Sequence, residues 1–164
     1  AESAPFLATS RAHFERRLAV NLTGAFLPAQ VLARGMVERG IGRLLFVAST
    51  AGLVGYPYVA AYCAAKHGVV GLAKAIGKEL AGSGVTANAL CPGYVETPML
   101  ERTIANIVAT TGRDEASARK ALLRQTPLGR FTAPEEVAAA ALYLASDAAA
   151  AVTGTTLSLS GGEV

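Results

Sequence analysis

Residues 43–48, R-L-L-F-V-A, form a short and continuous apolar run between glycine-containing segments. The run is too short for a stable helix and shows no polar–apolar alternation. It therefore reads as a strand covered on both faces, the pattern of a parallel sheet. A second strand is expected over residues 85–91, V-T-A-N-A-L-C, ending abruptly at Pro92-Gly93. A third spans residues 154–160, with Leu157 and Leu159 alternating and Gly161-Gly162 closing it. Between the first two strands, residues 59–81 are rich in Ala, Leu, Val and Lys and read as a helix. Gly68, Gly71 and Gly77 each weaken that helix by ~1 kcal/mol relative to Ala, but they allow close approach of a partner helix.

The opening reads as a linker into a helix that Thr9 or Ser10 can cap. Phe14, Leu18, Leu22 and Phe26, then Val31, Leu32 and Met36, form one continuous apolar stripe, and Gly40 ends the segment. Asn21 lies in mid-helix beside the stripe, although Asn competes there for backbone groups. Thr132-Ala133-Pro134-Glu135 reads as a capping box in which Thr132 reaches the Glu135 amide and opens a last helix. The order helix, strand, helix, strand, helices, strand is that of a parallel α/β sheet.

With 164 residues the chain is the size of one domain. Hydrophobic residues make up 52% and charged residues 16%, with a mean hydropathy of +0.38. That balance excludes disorder and is high for a free-standing domain of this size, so either most elements are buried on several sides or a large apolar face meets a partner. The 15 Lys and Arg give a net charge of +3 but are scattered, and Trp is absent. No nucleic-acid partner is expected. No apolar stretch approaches the ~18 residues of a membrane span, and no signal peptide is visible, so no membrane partner is expected. Cys63 and Cys91 lack any CxxC or Cys/His cluster. No metal site is expected, and two buried thiols in a reducing cytoplasm are the plainer reading.

In an open parallel sheet, ligands bind beyond the carboxyl ends of the strands. Two such ends carry polar, breaker-rich sequence: Ser49-Thr50-Ala51-Gly52 and the segment from Pro92 to Thr97. The helix between them presents Tyr62 and Lys66, four residues apart and hence on one face. An ammonium beside a phenol is expected to lower the phenol's pKa and to ready it for proton transfer. Ser49 could donate a hydrogen bond to an oxygen on which charge develops. Taken singly, each feature has a structural reading: a common helix pair, a turn serine, a Pro-Gly turn. His13 reads as a first-turn surface residue and His67 as pointing away from the Lys66 face, neither of them catalytic.

Taken together, Ser49, Tyr62, Lys66 and N-A-L-C-P-G-Y-V-E-T-P-M over residues 88–99 closely resemble the short-chain dehydrogenase/reductase family. V-N-L-T-G at 20–24 is similar to that family's active-site asparagine segment. T-G-T-T-L-S-L-S-G-G at 153–162 is similar to its last strand. The resemblance implies a doubly wound, Rossmann-like parallel sheet and an oxidoreductase using NAD or NADP. It implies that Tyr62 is the acid/base, Ser49 holds the substrate oxygen, and Lys66 binds the nicotinamide ribose and depresses the Tyr62 pKa. Asn21 would anchor a water in a proton relay. Pro92, Gly93, Val95 and Thr97 would fix the nicotinamide. Partners implied are a small-molecule ketone or alcohol and further copies of the chain, as a dimer of dimers, in the cytoplasm.

The family's glycine-rich pyrophosphate turn has no counterpart here. The expectation is that residues 1–164 are the C-terminal part of one such domain, with its N-terminal half absent. By itself the chain is then expected to be inactive and to bind no dinucleotide tightly. Residues 98–126 correspond to the family's substrate lid, and their length and wording look like 3-hydroxybutyrate dehydrogenases and polyketide ketoreductases. The hydroxybutyrate enzymes hold a free carboxylate with a His and a Lys where this chain has Ala51 and Val59. That favours a 3-oxoacyl thioester reductase or 3-hydroxyacyl dehydrogenase over an enzyme of small hydroxy acids. A non-catalytic interaction module and a structural half-domain are the remaining readings.

Overall fold

The computed structural model describes residues 3–164, so the linker reading of Ala1 and Glu2 lies outside the described residues. Ser10 caps the first helix, α1 (Arg11–Leu18), by accepting from the His13 N–H at 3.2 Å. The single long helix expected up to Gly40 is interrupted. After α1 the chain widens into a π-helical turn (Ala19–Thr23) and resumes as α2 (Gly24–Arg39), which Gly40 ends at φ 69°. A π turn shifts the side-chain register, so the apolar positions do not form one stripe. Leu22 packs against the core, whereas Val31 and Leu32 remain 69% and 57% exposed.

Strand β1 (Gly42–Val47) pairs in parallel with β2 (Val85–Pro92), which pairs in parallel with β3 (Thr156–Leu159). All eight residues of β2 are buried, as expected of a strand covered on both faces. On one face Leu44, Phe46, Val85, Ala87, Ala89 and Cys91 meet Val69, Val70 and Ala73 of α3 (Ala60–Glu79). On the other, Leu90 and Leu45 meet Leu144 of α6 (Pro134–Ala145), with Ala140 and Ala141 beside them. The two crossovers step across the sheet in the same direction with their helices on opposite faces. They therefore have opposite hands, and one departs from the usual right-handed rule.

Between β2 and α6 lie α4 (Pro98–Thr111) and α5 (Glu115–Leu123), more fully helical than the polar sequence suggested. They enclose a small core of their own, Leu100, Ile104, Ala118 and Leu122, closed by Phe131 against the edge of the Tyr94 ring. The expected capping box is displaced by one residue. Ala133 is the N-cap of α6, and its N–H donates to the Glu136 carboxylate at 2.8 Å. The Thr132 hydroxyl instead donates to the Leu159 carbonyl, because Thr132 is tied into a parallel bridge with Val95.

The glycines of α3 divide by what faces them. A Cβ at Gly68 would lie 2.7 Å from Leu22, and one at Gly77 only 2.5 Å from the Gly154 backbone, whereas Gly71 faces open space. Gly77→Ala is therefore expected to overpack a backbone contact and to lower stability by ~1–3 kcal/mol. Gly71→Ala gains ~0.5–1 kcal/mol from helix propensity. Thermal denaturation of the two variants side by side checks the opposite signs.

Candidate active site

All three strands run the same way, so their carboxyl ends lie on one edge of the sheet. Ser49 follows β1 at that edge. It is held in extended backbone, caps a short turn (Thr50–Gly52), and its hydroxyl oxygen accepts from the Ala51 N–H at 3.2 Å. Its own N–H is directed at the buried Cys91 sulfur of β2, whose thiol burial pushes up. Sequence reading treated Cys91 as packing alone, since a lone thiol gives no sign that it supports a loop.

Helix α3 crosses this edge with Tyr62 and Lys66 in its first two turns. The Tyr62 hydroxyl faces the Ser49 side chain, which favours the ionised phenol. The Lys66 Nζ donates to the Val47 carbonyl, the last of β1, at 2.9 Å, and lies 5.6 Å from the centre of the Tyr62 ring. Ser49, Tyr62 and Lys66 are thus brought together. A further glycine makes this possible: a Cβ at Gly52 would lie 2.7 Å from the Lys66 carbonyl oxygen, so only glycine lets the turn reach α3.

The electrostatics depart from expectation. Burial raises the Tyr62 pKa above its usual value, and the Ser49 side chain only partly offsets this. The cation that helps lower it is Arg17, not Lys66. Burial likewise holds the Lys66 pKa below its usual value. The dominant cause is burial: the ammonium is bonded to the Val47 carbonyl and lies over the Tyr62 ring, and the loss of water opposes charge on both groups. Both groups are pushed toward their neutral forms.

Asn21 falls in the π turn, half-buried, and its Nδ2 donates to the Arg17 carbonyl at 3.1 Å rather than to Lys66. The π turn as a whole packs on α3, where Leu22 covers Gly68. Single-turn π widenings of this kind occur often at functional sites.

The segment after β2 supplies the other wall. In the parallel bridge between Val95 and Thr132, the Thr132 N–H donates to Tyr94 and its carbonyl accepts from Glu96. The amide and carbonyl of Val95 itself therefore point away from Thr132. The Val95 carbonyl accepts from the Thr97 hydroxyl at 3.2 Å, while its N–H has no protein acceptor among the described residues. An unpartnered amide beside the bare backbone of Gly93 fits a planar carboxamide such as that of nicotinamide. The Lys66 ammonium, with two donors in excess of its bond to Val47, fits ribose hydroxyls. Among the described residues no three His, Cys, Asp or Glu side chains converge as a metal site would require.

Sequence reading missed a second polar cluster at the same edge. The Tyr56 hydroxyl lies 2.9 Å from Thr50 Oγ1 and 2.5 Å from Glu163 Oε1. Having one proton, Tyr56 donates to the carboxylate and accepts from Thr50. These residues are far apart in the chain and belong to no local pattern. The hint was an acidic residue directly after Gly161-Gly162.

Because Ser49 stabilises the ionised phenol, Ser49→Ala is expected to raise the ionisation pH of Tyr62 further. Titration of the Tyr62 ring carbon by NMR measures this, and a downward shift would contradict the role assigned to Ser49.

A family model described as enoyl-(acyl carrier protein) reductase, of the short-chain dehydrogenase/reductase type, matches residues 1–163. A D-beta-hydroxybutyrate dehydrogenase of Rhizobium meliloti is 43% identical over 150 residues, 91% of this chain and 58% of that protein. A ketoacyl reductase of Streptomyces coelicolor is 47% identical over 146 residues, 87% of this chain and 55% of that protein. Among solved structures, a sorbitol-6-phosphate 2-dehydrogenase from Erwinia amylovora superposes with a TM-score of 0.94 at 31% identity, covering 100% of this chain and 65% of the other. An F189W actinorhodin polyketide ketoreductase with NADPH gives 0.92 at 40% identity, covering 98% and 62%. The chain spans about half the length of the curated relatives it matches.

Proposed function

The chain belongs to the short-chain dehydrogenase/reductase family, and we propose that the protein carrying it is an NAD- or NADP-dependent oxidoreductase interconverting a ketone and a secondary alcohol. The observation that carries this reading is the convergence of Ser49, the buried Tyr62 phenol and the Lys66 ammonium at the end of β1, with the ammonium over the phenol ring.

When bound, the nicotinamide supplies or accepts the hydride. The chain's own residues do the rest. In reduction, Tyr62, kept protonated by burial, hands its proton to the carbonyl oxygen as charge develops there. Ser49 donates to the same oxygen and holds it within reach of the phenol. In oxidation Tyr62 must lose that proton first, and the Ser49 side chain and the Arg17 charge favour this. Lys66 holds the ribose and fixes the Tyr62 ring. Asn21 keeps its place in the relay through the π turn, which sets the backbone beside α3. Pro92, Gly93, Val95 and Thr97 hold the carboxamide end.

The favoured substrate is a 3-oxoacyl thioester, or the corresponding 3-hydroxyacyl group in reverse. Ala51 is buried and Val59 is the N-cap of α3, so neither offers a cation to a free carboxylate. Residues 98–126 act as the lid, built as the compact pair α4–α5. The reading of small hydroxy acids as substrates is supported by the likeness to the D-beta-hydroxybutyrate dehydrogenase. Comparing kcat/KM for an acetoacetyl thioester and for acetoacetate decides between them.

The protein is proposed to act in the cytoplasm as a homo-oligomer, a dimer of dimers. The exposed apolar positions Val20, Leu27, Val31 and Leu32 form surface that association, or the remainder of a longer protein, would cover. The free buried thiols Cys63 and Cys91 suit a reducing compartment. No helix of the described residues is long and apolar enough to cross a membrane.

In the complete protein, Tyr62→Phe is expected to lower kcat by ~10²–10⁴-fold, the worth of a general acid, while cofactor affinity stays within about twofold. Lys66→Ala is expected to weaken both. Steady-state rates with cofactor titrations test the assignment, and wild-type turnover in Tyr62→Phe removes it. Light scattering at micromolar concentration tests association, and a strict monomer counts against it.

A further inference from the structure

Resting on the oxidoreductase reading, we propose that Glu163 is an electrostatic residue of the nicotinamide site, whose carboxylate beneath Gly93 favours the oxidised, positively charged cofactor over the reduced one. Glu163 lies beyond β3, yet its side chain turns back to the carboxyl edge. Oε1 is held by the Tyr56 hydroxyl at 2.5 Å, and Tyr56 is in turn tied to Thr50, the neighbour of Ser49. Oε2 is buried and has no hydrogen-bond partner. It points at Gly93: a Cβ there would lie 3.2 Å from Oε2, so the missing side chain is what lets the carboxylate come up under this backbone.

A buried carboxylate oxygen without a donor is costly unless a positive charge compensates it. No Lys or Arg pairs with Glu163 among the described residues. The titratable groups facing it are phenols, Tyr56 and the more distant Tyr94. Burial, and then donation to Glu163, push the Tyr56 pKa well above its usual range, so Tyr56 remains a neutral donor. Among the described residues no cation thus answers the carboxylate at this edge of the proposed nicotinamide platform. Of the two redox forms of the cofactor, only the oxidised ring carries the positive charge that would answer it. A unit charge within about 10 Å of another, at an effective dielectric near 20, is worth roughly tenfold in an equilibrium constant.

The test measures dissociation constants of NAD+ and NADH, and of NADP+ and NADPH, for the complete protein by calorimetry or nicotinamide fluorescence. Glu163→Gln keeps the shape and an acceptor for Tyr56 but removes the charge. It is expected to weaken the oxidised form about tenfold relative to the reduced form. Tyr56→Phe removes the hydrogen bond but keeps the charge, and is expected to leave the oxidised preference intact. A Glu163→Gln ratio within twofold of wild type, with both forms still bound, overturns this inference alone. Equal loss of the preference in both variants overturns it too, because the pair then acts through structure. Failure of the wild-type protein to bind any of the four cofactors overturns the oxidoreductase reading together with it.

Discussion

Everything at the candidate site depends on the burial of β2 between two layers. Its eight residues are covered on both faces and paired in parallel on both edges. Parallel pairing leaves no choice about polarity: the strand ends that carry Ser49, Pro92-Gly93 and Gly161-Gly162 must emerge on one edge. Hydrophobic burial on the order of 25 cal/mol per Å² holds this arrangement without directing any side chain. Direction comes from polar pins at the strand ends. Asn88, fully buried within β2, donates to the Val152 carbonyl at 2.8 Å and accepts from the Thr155 N–H at 3.1 Å, fixing the approach to β3.

Helix α3 converts that scaffold into a site by acting as a ruler. Its C-terminal half is locked at Gly77, where only glycine fits against Gly154. Its middle packs through Val69, Val70 and Ala73. Its first turns then project Tyr62 and Lys66 over the end of β1, one helical turn apart. The glycine at position 52 performs the same service from the other side by letting the Ser49 turn touch the α3 backbone. Close backbone approach accounts for Gly77 in a helix that would otherwise disfavour it, and for Gly52 in the turn that meets that helix.

Burial also sets the charge state of the site. It raises Tyr62 and Tyr56, lowers Lys66 and raises Cys91, in each case away from the ionised form. The exposed Arg130–Glu136 pair behaves oppositely. There the guanidinium holds the Glu136 pKa down at about 2, because the charged forms remain in water and in contact. A phenol and an ammonium both pushed toward neutrality, as Tyr62 and Lys66 are, are suited to passing a proton.

The amino-acid sequence by itself determined the parallel α/β class, the three strands, the long helix at 59–81 and the pairing of Tyr62 with Lys66. Each follows from local rules: run length, breaker residues and the i, i+4 spacing of a helix. The shared motif order carried the family in the same way. Local rules could not place the π turn at Ala19–Thr23, whose Leu22 packs on Gly68 of α3, a partner more than forty residues away in the chain. They put the cap of α6 one residue early, because Thr132 is recruited by Val95 and Leu159, which lie far away in the chain. They assigned the pKa of Tyr62 in the wrong direction, because spacing brings a cation near a ring but does not say how deeply the phenol is buried. The Thr50–Tyr56–Glu163 cluster was invisible for the same reason: 107 residues separate Tyr56 from Glu163, and only the folded sheet edge brings them into contact. Sequence period sets which face a residue is on; tertiary packing alone sets what that face meets and how much water remains there.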